Sequence, residues 1–253
     1  MINEDRPYAL TIGGHDPSGG AGVTADLKTM ESIGVQGMSV CSSLTFQTED
    51  HFEGLVWMSK KEIKKQLKPI IEQYNFSVVK IGIIENLQVL KWIAQSIKTY
   101  QPNIIIIWDP VIKTSSGFKL HDKLSHRFLI SVLKYIDIIT PNWNEMIELI
   151  GEKDVLTAAE KLSETTMVYL KGGHNDMNIG TDYLFVKGSE TVFVPEYVSS
   201  QQKHGSGCIF SSALASYLAL SYSLDSACVA SKRYITEYLD SSETLLGIHF
   251  QSL

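Results

Sequence analysis

The chain has 253 residues, 44% of them hydrophobic and 20% charged, an ordinary globular composition with ample apolar material for one large core. Its net charge of −6 argues against a protein built around a nucleic-acid backbone, which needs a basic surface. Cys41, Cys208 and Cys228 form no CxxC and no closed disulfide framework, so reduced thiols and a cytoplasmic location are expected. The opening MINEDRPYALTIGG joins no basic start to a long apolar run, and no signal peptide is expected.

Strand-like and helix-like segments alternate along the chain. Tyr8–Gly13 reads as a buried strand entering a glycine turn, and Gly22–Ile33 as a helix with Val23, Leu27 and Met30 on one face. Met38–Phe46 is β-like. Lys60–Tyr74 repeats Ile63, Leu67, Ile70 and Ile71 at helical spacing. Val78–Ile84 predicts a strand and Leu87–Ile97 a helix. Asn103–Trp108 holds a run of isoleucines suited to a parallel strand covered on both faces. Ile136–Thr140 and Met167–Leu170 repeat that pattern. Thr181–Val186 and Glu190–Pro195 suggest a hairpin through Lys187-Gly188-Ser189, and Ser206–Leu220 and Asp225–Leu239 suggest two last helices. Gly205 to Leu224 is uncharged and about as long as a membrane span. Its six serines and two glycines favour a buried core helix.

This alternation predicts an α/β fold: three α/β/α layers around a central, mostly parallel sheet, in a single domain over residues 1–253. Ligands of such sheets bind beyond the carboxyl ends of the strands. Four polar segments fall there: Gly13–Asp16, Asp109–Gly117, Thr140–Glu145 and Lys171–His174. Residues 13–22 contain five glycines, which suit either a tight turn or close approach of backbone amides to a ligand. Lys203-His204-Gly205-Ser206-Gly207-Cys208 precedes the uncharged helix. It reads as an anion site at a helix start, where a thiol's pKa is typically lowered, or as a flexible turn. Asn142 and Glu145 suit a capping box, a hydrated Mg²⁺ beside phosphates, or both. Thr48–Gly54 and Thr114–Leu120 are plausible mobile stretches.

Together these segments resemble the ribokinase-like superfamily, and specifically the hydroxymethylpyrimidine/phosphomethylpyrimidine kinases of thiamine biosynthesis. The resemblance runs from about Ala9 to the last helix. It rests most on Asp16-Pro17-Ser18-Gly19-Gly20-Ala21-Gly22 with Ala25-Asp26-Leu27-Lys28-Thr29, and on His204-Gly205-Ser206-Gly207-Cys208. Lys80-Ile81-Gly82, Asp109-Pro110-Val111, Ile139-Thr140-Pro141-Asn142 with Glu145, and Lys171-Gly172-Gly173-His174 support it.

The resemblance implies transfer of the ATP γ-phosphoryl group to the hydroxymethyl of an aminopyrimidine, then to the monophosphate. It implies a pyrimidine pocket at Gly14, Ala21, Gln47, Ile83 and Val111, where the Gln47 amide meets the polar edge of the ring. Nucleotide and phosphate contacts fall on Asn142, Lys171, Gly173 and His204, with Mg²⁺ held through water by Glu145. The amides of Gly205, Ser206, Gly207 and Cys208 would stabilise the transferring group, and Cys208 stands where sugar kinases carry an aspartate that receives the hydroxyl proton. A homodimer without nucleic-acid or membrane partners is implied. A pyridoxal/pyridoxine kinase, or an idle ligand-binding member of the fold, is the alternative. Three departures from the family pattern stand out: Ser206 for the usual Thr, Ser for Lys after Asp109-Pro110-Val111 with Lys113 two residues away, and Lys203 for the common Thr. Lys203 would either strengthen the phosphate site or lie in solvent.

Overall fold

A computed structural model describes residues 6–113, 125–175 and 178–250. Among the described residues nine strands join one sheet: β1 (Tyr8–His15), β2 (Gln36–Gln47), β3 (Phe52–Trp57), β4 (Phe76–Ile81), β5 (Ile105–Trp108), β6 (Ile138–Ile139), β7 (Met167–Leu170), β8 (Asp182–Val186) and β9 (Ser189–Phe193). Their spatial order is β3-β2-β1-β4-β5-β6-β7-β8-β9. The six strands from β2 to β7 in that order are mutually parallel. β3 and the β8–β9 hairpin add antiparallel edges.

The helices are α1 (Gly22–Ile33), α2 (Lys60–Gln73), α3 (Leu87–Tyr100), α4 (His126–Leu133), α5 (Trp143–Ile150), α6 (Val155–Ser163), α7 (Ser206–Ala219) and α8 (Leu224–Leu239). They form two outer layers, each with its own apolar core. Leu10, Ile12, Ile81, Ile106 and Leu170 face the layer of α2 to α6, whereas Ala9, Val78, Ile107 and Tyr169 face α1, α7 and α8. Successive side chains of a strand point to opposite faces, so strands covered on both sides read as unbroken apolar runs. Among the described residues no helix is long and apolar enough to cross a membrane. The uncharged α7 instead packs between α1 and α8, and its buried Ser211 and Ser212 donate to the buried carboxylates of Asp109 and Asp26.

The structure departs from the expected elements in particular places. Residues 48–51 form a turn, closed by the Thr48 N–H donating to His51 at 2.8 Å, and Phe52–Trp57 is the unanticipated edge strand β3. None of its residues is fully buried, so no apolar alternation marks it. The strand expected over Ile136–Thr140 contracts to Ile138–Ile139. The short helices α4 and α6 were not anticipated either, being only two turns or so long. The stretch Thr114–Leu120 lies outside the described residues.

Candidate active site

The carboxyl edge of the parallel strands gathers the segments singled out in the sequence. Across β2, β1, β4, β5, β6 and β7 it presents in turn Gln47, Gly14, Ile83, Val111, Asn142 and Lys171. The start of α7 reaches into the middle of this row.

One carboxylate organises residues 16–21. Asp16 is 1% exposed. It accepts from the Ser18 N–H at 2.9 Å, the Ser18 hydroxyl at 2.9 Å and the Ala21 N–H at 2.8 Å. Its Oδ2 also meets His204 Nε2 at 2.9 Å. Burial by itself would raise the Asp16 pKa, but the bonds from His204 and Ser18 outweigh it and hold the carboxyl below its ordinary range. His204 is thereby a clamp between the glycine-rich loop and α7. Only its buried Nδ1 remains without a partner for the expected phosphate role.

Two glycines allow this apposition. Gly205, the N-cap of α7, has φ 70°, and a Cβ there would stand 2.1 Å from the Gly20 carbonyl oxygen. Gly22 opens α1 at φ 59°, where a Cβ would stand 2.1 Å from the Gly14 carbonyl oxygen. Both conformations favour glycine, and both contacts require it. The N–H groups of Gly205, Ser206, Gly207 and Cys208 occupy the first turn of α7, where intrahelical acceptors do not exist and the helix dipole is positive.

The opposite wall is charged. A Cβ on Gly207 would stand 3.2 Å from Lys171 Nζ, so the missing side chain leaves the helix start facing an ammonium. Lys171 Nζ donates to Asp109 Oδ1 at 2.8 Å and lies 3.8 Å from Glu145 Oε2. Burial works against the Lys171 charge, and the two carboxylates overcome it, so its pKa is raised. Asp109 is fully buried and also accepts from Ser211 at 3.1 Å and Thr140 at 3.2 Å.

Asn142 and Glu145 close a capping box on α5: Asn142 Oδ1 accepts from the Glu145 N–H at 2.9 Å, and Glu145 Oε2 accepts from the Asn142 N–H at 2.6 Å. Burial is the main reason the Glu145 carboxyl is pushed up to about 7. Lys171 pulls it down and Asp109 pushes it further up. Among the described residues no cluster of three or more His, Cys, Asp and Glu side chains could hold a metal unaided. The hard carboxylate oxygens of Glu145 and Asp109, beside the start of α7, do fit Mg²⁺ whose remaining ligands are water and phosphate.

Beneath the helix start lies a second ion pair. Lys80 on β4 is 1% exposed and donates to both oxygens of the fully buried Asp26 on α1, at 2.9 and 2.8 Å. Thr11 and Ser212 each donate to Asp26 at 2.5 Å. Burial opposes the Lys80 charge, but Asp26 holds its pKa above the ordinary value. Cys208 is half-buried and near enough to this pair to feel both charges. Contrary to expectation, burial pushes its thiol up to about 11, although the Lys80 charge and a hydrogen bond from the Gly22 backbone act in the other direction.

The remaining expected residues are placed as follows. Ala21 packs against Gly205, and the Ile83 side chain reaches the space beside Gly14. The Gln47 amide donates to Thr45 Oγ1 at 2.8 Å. Val111 follows β5, its N–H donating to the Asp109 carbonyl at 2.9 Å, and Gly173 is exposed after β7. Lys113 pairs with Glu148 on α5 at the surface. Lys203 is neither in solvent nor at the phosphate site: it is 6% exposed and donates to the carbonyls of Ser242 at 2.5 Å and Thr244 at 2.6 Å. Asp26, Lys80 and Asp109 were read only as parts of motifs. A lysine inside the apolar run Val78–Ile84, and an aspartate on the apolar face of α1, were the signals of a buried pair.

The chain matches the phosphomethylpyrimidine kinase family over residues 16–251. A hydroxymethylpyrimidine/phosphomethylpyrimidine kinase of Aquifex aeolicus (strain VF5) is 32% identical over 245 residues, which cover 94% of this chain and 96% of that one. The crystal structure of phosphomethylpyrimidine kinase from Clostridium difficile 630 has a TM-score of 0.77 at 35% identity, covering 92% of this chain and 99% of that one. Bacillus subtilis pyridoxal kinase in its ADP complex has a TM-score of 0.84 at 26% identity, covering 98% of both chains. With its matching fold and a family match that spans the site, the chain belongs to the phosphomethylpyrimidine kinase family.

Proposed function

We propose that the protein transfers the γ-phosphoryl group of ATP to 4-amino-5-hydroxymethyl-2-methylpyrimidine, and then to the resulting monophosphate, in thiamine biosynthesis. What carries the reading is the start of α7, with the glycine-rich loop on one side and Lys171, Asp109 and Glu145 on the other. Gly14, Ala21, Gln47, Ile83 and Val111 form the pyrimidine half, and Asn142, Lys171, Gly173 and His204 the nucleotide half. The substrate hydroxymethyl and the phosphoryl group meet between them, at residues 205–208.

The amides of Gly205, Ser206, Gly207 and Cys208 receive the charge that spreads over the phosphoryl oxygens, and Lys171 balances it from across the cleft. Glu145 would hold Mg²⁺ through water, and the ion would there supply neutralising charge for the phosphates. The neutral Cys208 thiol orients the attacking hydroxyl. That hydroxyl's oxygen forms the new P–O bond as the bond to ADP breaks, and its proton passes to an oxygen of the transferred group.

We place the enzyme in the cytoplasm as one catalytic domain, and as a homodimer. The β2–β3 flap supports the dimer, because Leu44, Phe46 and Val56 expose apolar surface there; sedimentation reads the assembly. The function itself is tested by offering Mg²⁺-ATP with the hydroxymethylpyrimidine, its monophosphate or pyridoxal. Phosphorylation of both pyrimidines with the higher kcat/KM is expected. Phosphorylation of pyridoxal alone would overturn the reading.

A further inference from the structure

A buried hydroxyl without a hydrogen-bond partner costs about 1–3 kcal/mol, so each one asks for a reason. Among the described residues two buried side-chain atoms lack a partner: His204 Nδ1, inside the phosphate site, and Ser43 Oγ. Ser43 is fully buried on β2, in register with Gly14 of β1. Its Oγ lies 2.8 Å from the point where a Cβ on Gly14 would stand, and the terminal methyl of Ile83 lies 2.5 Å from that same point. Ser43 therefore faces the position beside Gly14 that the flexible tip of Ile83 fills, in the half of the site assigned to the pyrimidine.

Its neighbours do not share the deficiency. Ser42 donates to the Ile83 carbonyl at 2.6 Å, and Thr45 to the His15 carbonyl at 2.8 Å while accepting from Gln47. Strand alternation puts Ser43, Thr45 and Gln47 on one face, in steps of roughly 7 Å. The Gln47 amide folds back onto Thr45, so it and the Ser43 hydroxyl are separated by about one such step. That separation is comparable to the span of a substituted six-membered ring.

We propose that the Ser43 hydroxyl is a specificity determinant that donates a hydrogen bond to a ring nitrogen of the bound pyrimidine, on the edge away from Gln47, once the Ile83 tip has swung aside. The inference rests on the kinase reading and adds to it a second polar contact. The nitrogen in question is the one across the ring from the exocyclic amine.

The test compares unsubstituted protein with Ser43→Ala by thermal unfolding without ligand and by calorimetric binding without ATP. The ligands are the hydroxymethylpyrimidine and a pyridine analogue with CH in place of that nitrogen. Ser43→Ala is expected to unfold at the same or a higher temperature, because it removes an unpaired group. It is expected to bind the pyrimidine on the order of five- to tenfold more weakly, the scale of one neutral hydrogen bond, and to bind the analogue as the unsubstituted protein does. Unchanged pyrimidine binding would overturn the contact. So would a lower unfolding temperature with equal losses for both ligands, the mark of a merely structural serine. Failure of the unsubstituted protein to bind or phosphorylate the pyrimidine would overturn the kinase reading itself, before the variant is considered.

Discussion

With its thiol pushed up to about 11, Cys208 keeps its proton throughout the neutral range. A group that only positions the substrate hydroxyl is replaceable by another hydrogen-bonding group of similar size; a thiolate base is not. Cys208→Ala is expected to lower kcat by about 10²-fold, the scale of a misplaced reactant, and Cys208→Ser to stay within about tenfold of the unsubstituted rate. Equal losses in both variants, with a pH limb in the parent that both abolish, would return the base role to Cys208. Glu145 gives a stability signature. Its folded pKa of about 7 lies above its unfolded value, so the folded protein holds a proton that the unfolded chain releases. This contribution is present below the ordinary carboxylate range and is lost as pH rises to about 7. In the ligand-free protein the melting temperature should decline across that window, and Glu145→Gln should flatten the decline. An equally steep profile in the variant would assign the slope to another group.

The α1–β4–α7 sandwich turns on the Asp26–Lys80 pair. Removing one partner of a buried ion pair leaves the other charge stranded, at about 3–5 kcal/mol. Lys80→Met should therefore lower the melting temperature by on the order of 10 °C, and Asp26→Leu added to it should recover much of the loss. A double variant no better than the single one would show that Thr11 and Ser212, not the pair, fix Asp26. This pair also marks the limit of what could be read from sequence. Gly22–Ile33 and Met167–Leu170 were legible to the residue, because periodicity reports burial. Asp26 and Lys80 break that periodicity, and their meaning depends on a contact 54 positions apart. The strand β3 was illegible for the opposite reason: an edge strand with no fully buried residue writes no pattern.

At the scale of the molecule, the sheet order made the site legible. Every parallel strand from β2 to β7 delivers its carboxyl end to one edge, so short polar segments scattered through the sequence could be assigned to one cleft. The closing segment could not be assigned in that way. The Lys203 bonds to Ser242 and Thr244, the His204 N–H bond to the Leu245 carbonyl at 2.9 Å, and the approach of Leu246 to Gly20 all tie residues 242–246 to the clamp. These are mainly bonds to backbone carbonyls, which any side chains permit. Lys203→Ala should loosen this strap by about 2 kcal/mol, seen as roughly 30-fold faster hydrogen exchange over residues 242–250, with a fall in kcat. Exchange unchanged from the parent would show that the strap holds without Lys203.

The strap has a consequence for synthesis on the ribosome. The glycine-rich loop is made well before the start of α7, and the groups that brace both come later still. A nascent chain can complete its sheet and both helical layers while His204 still lacks its outer support. Catalytic competence therefore waits for residues 242–246, and a product cut short after α8 would be folded but slow.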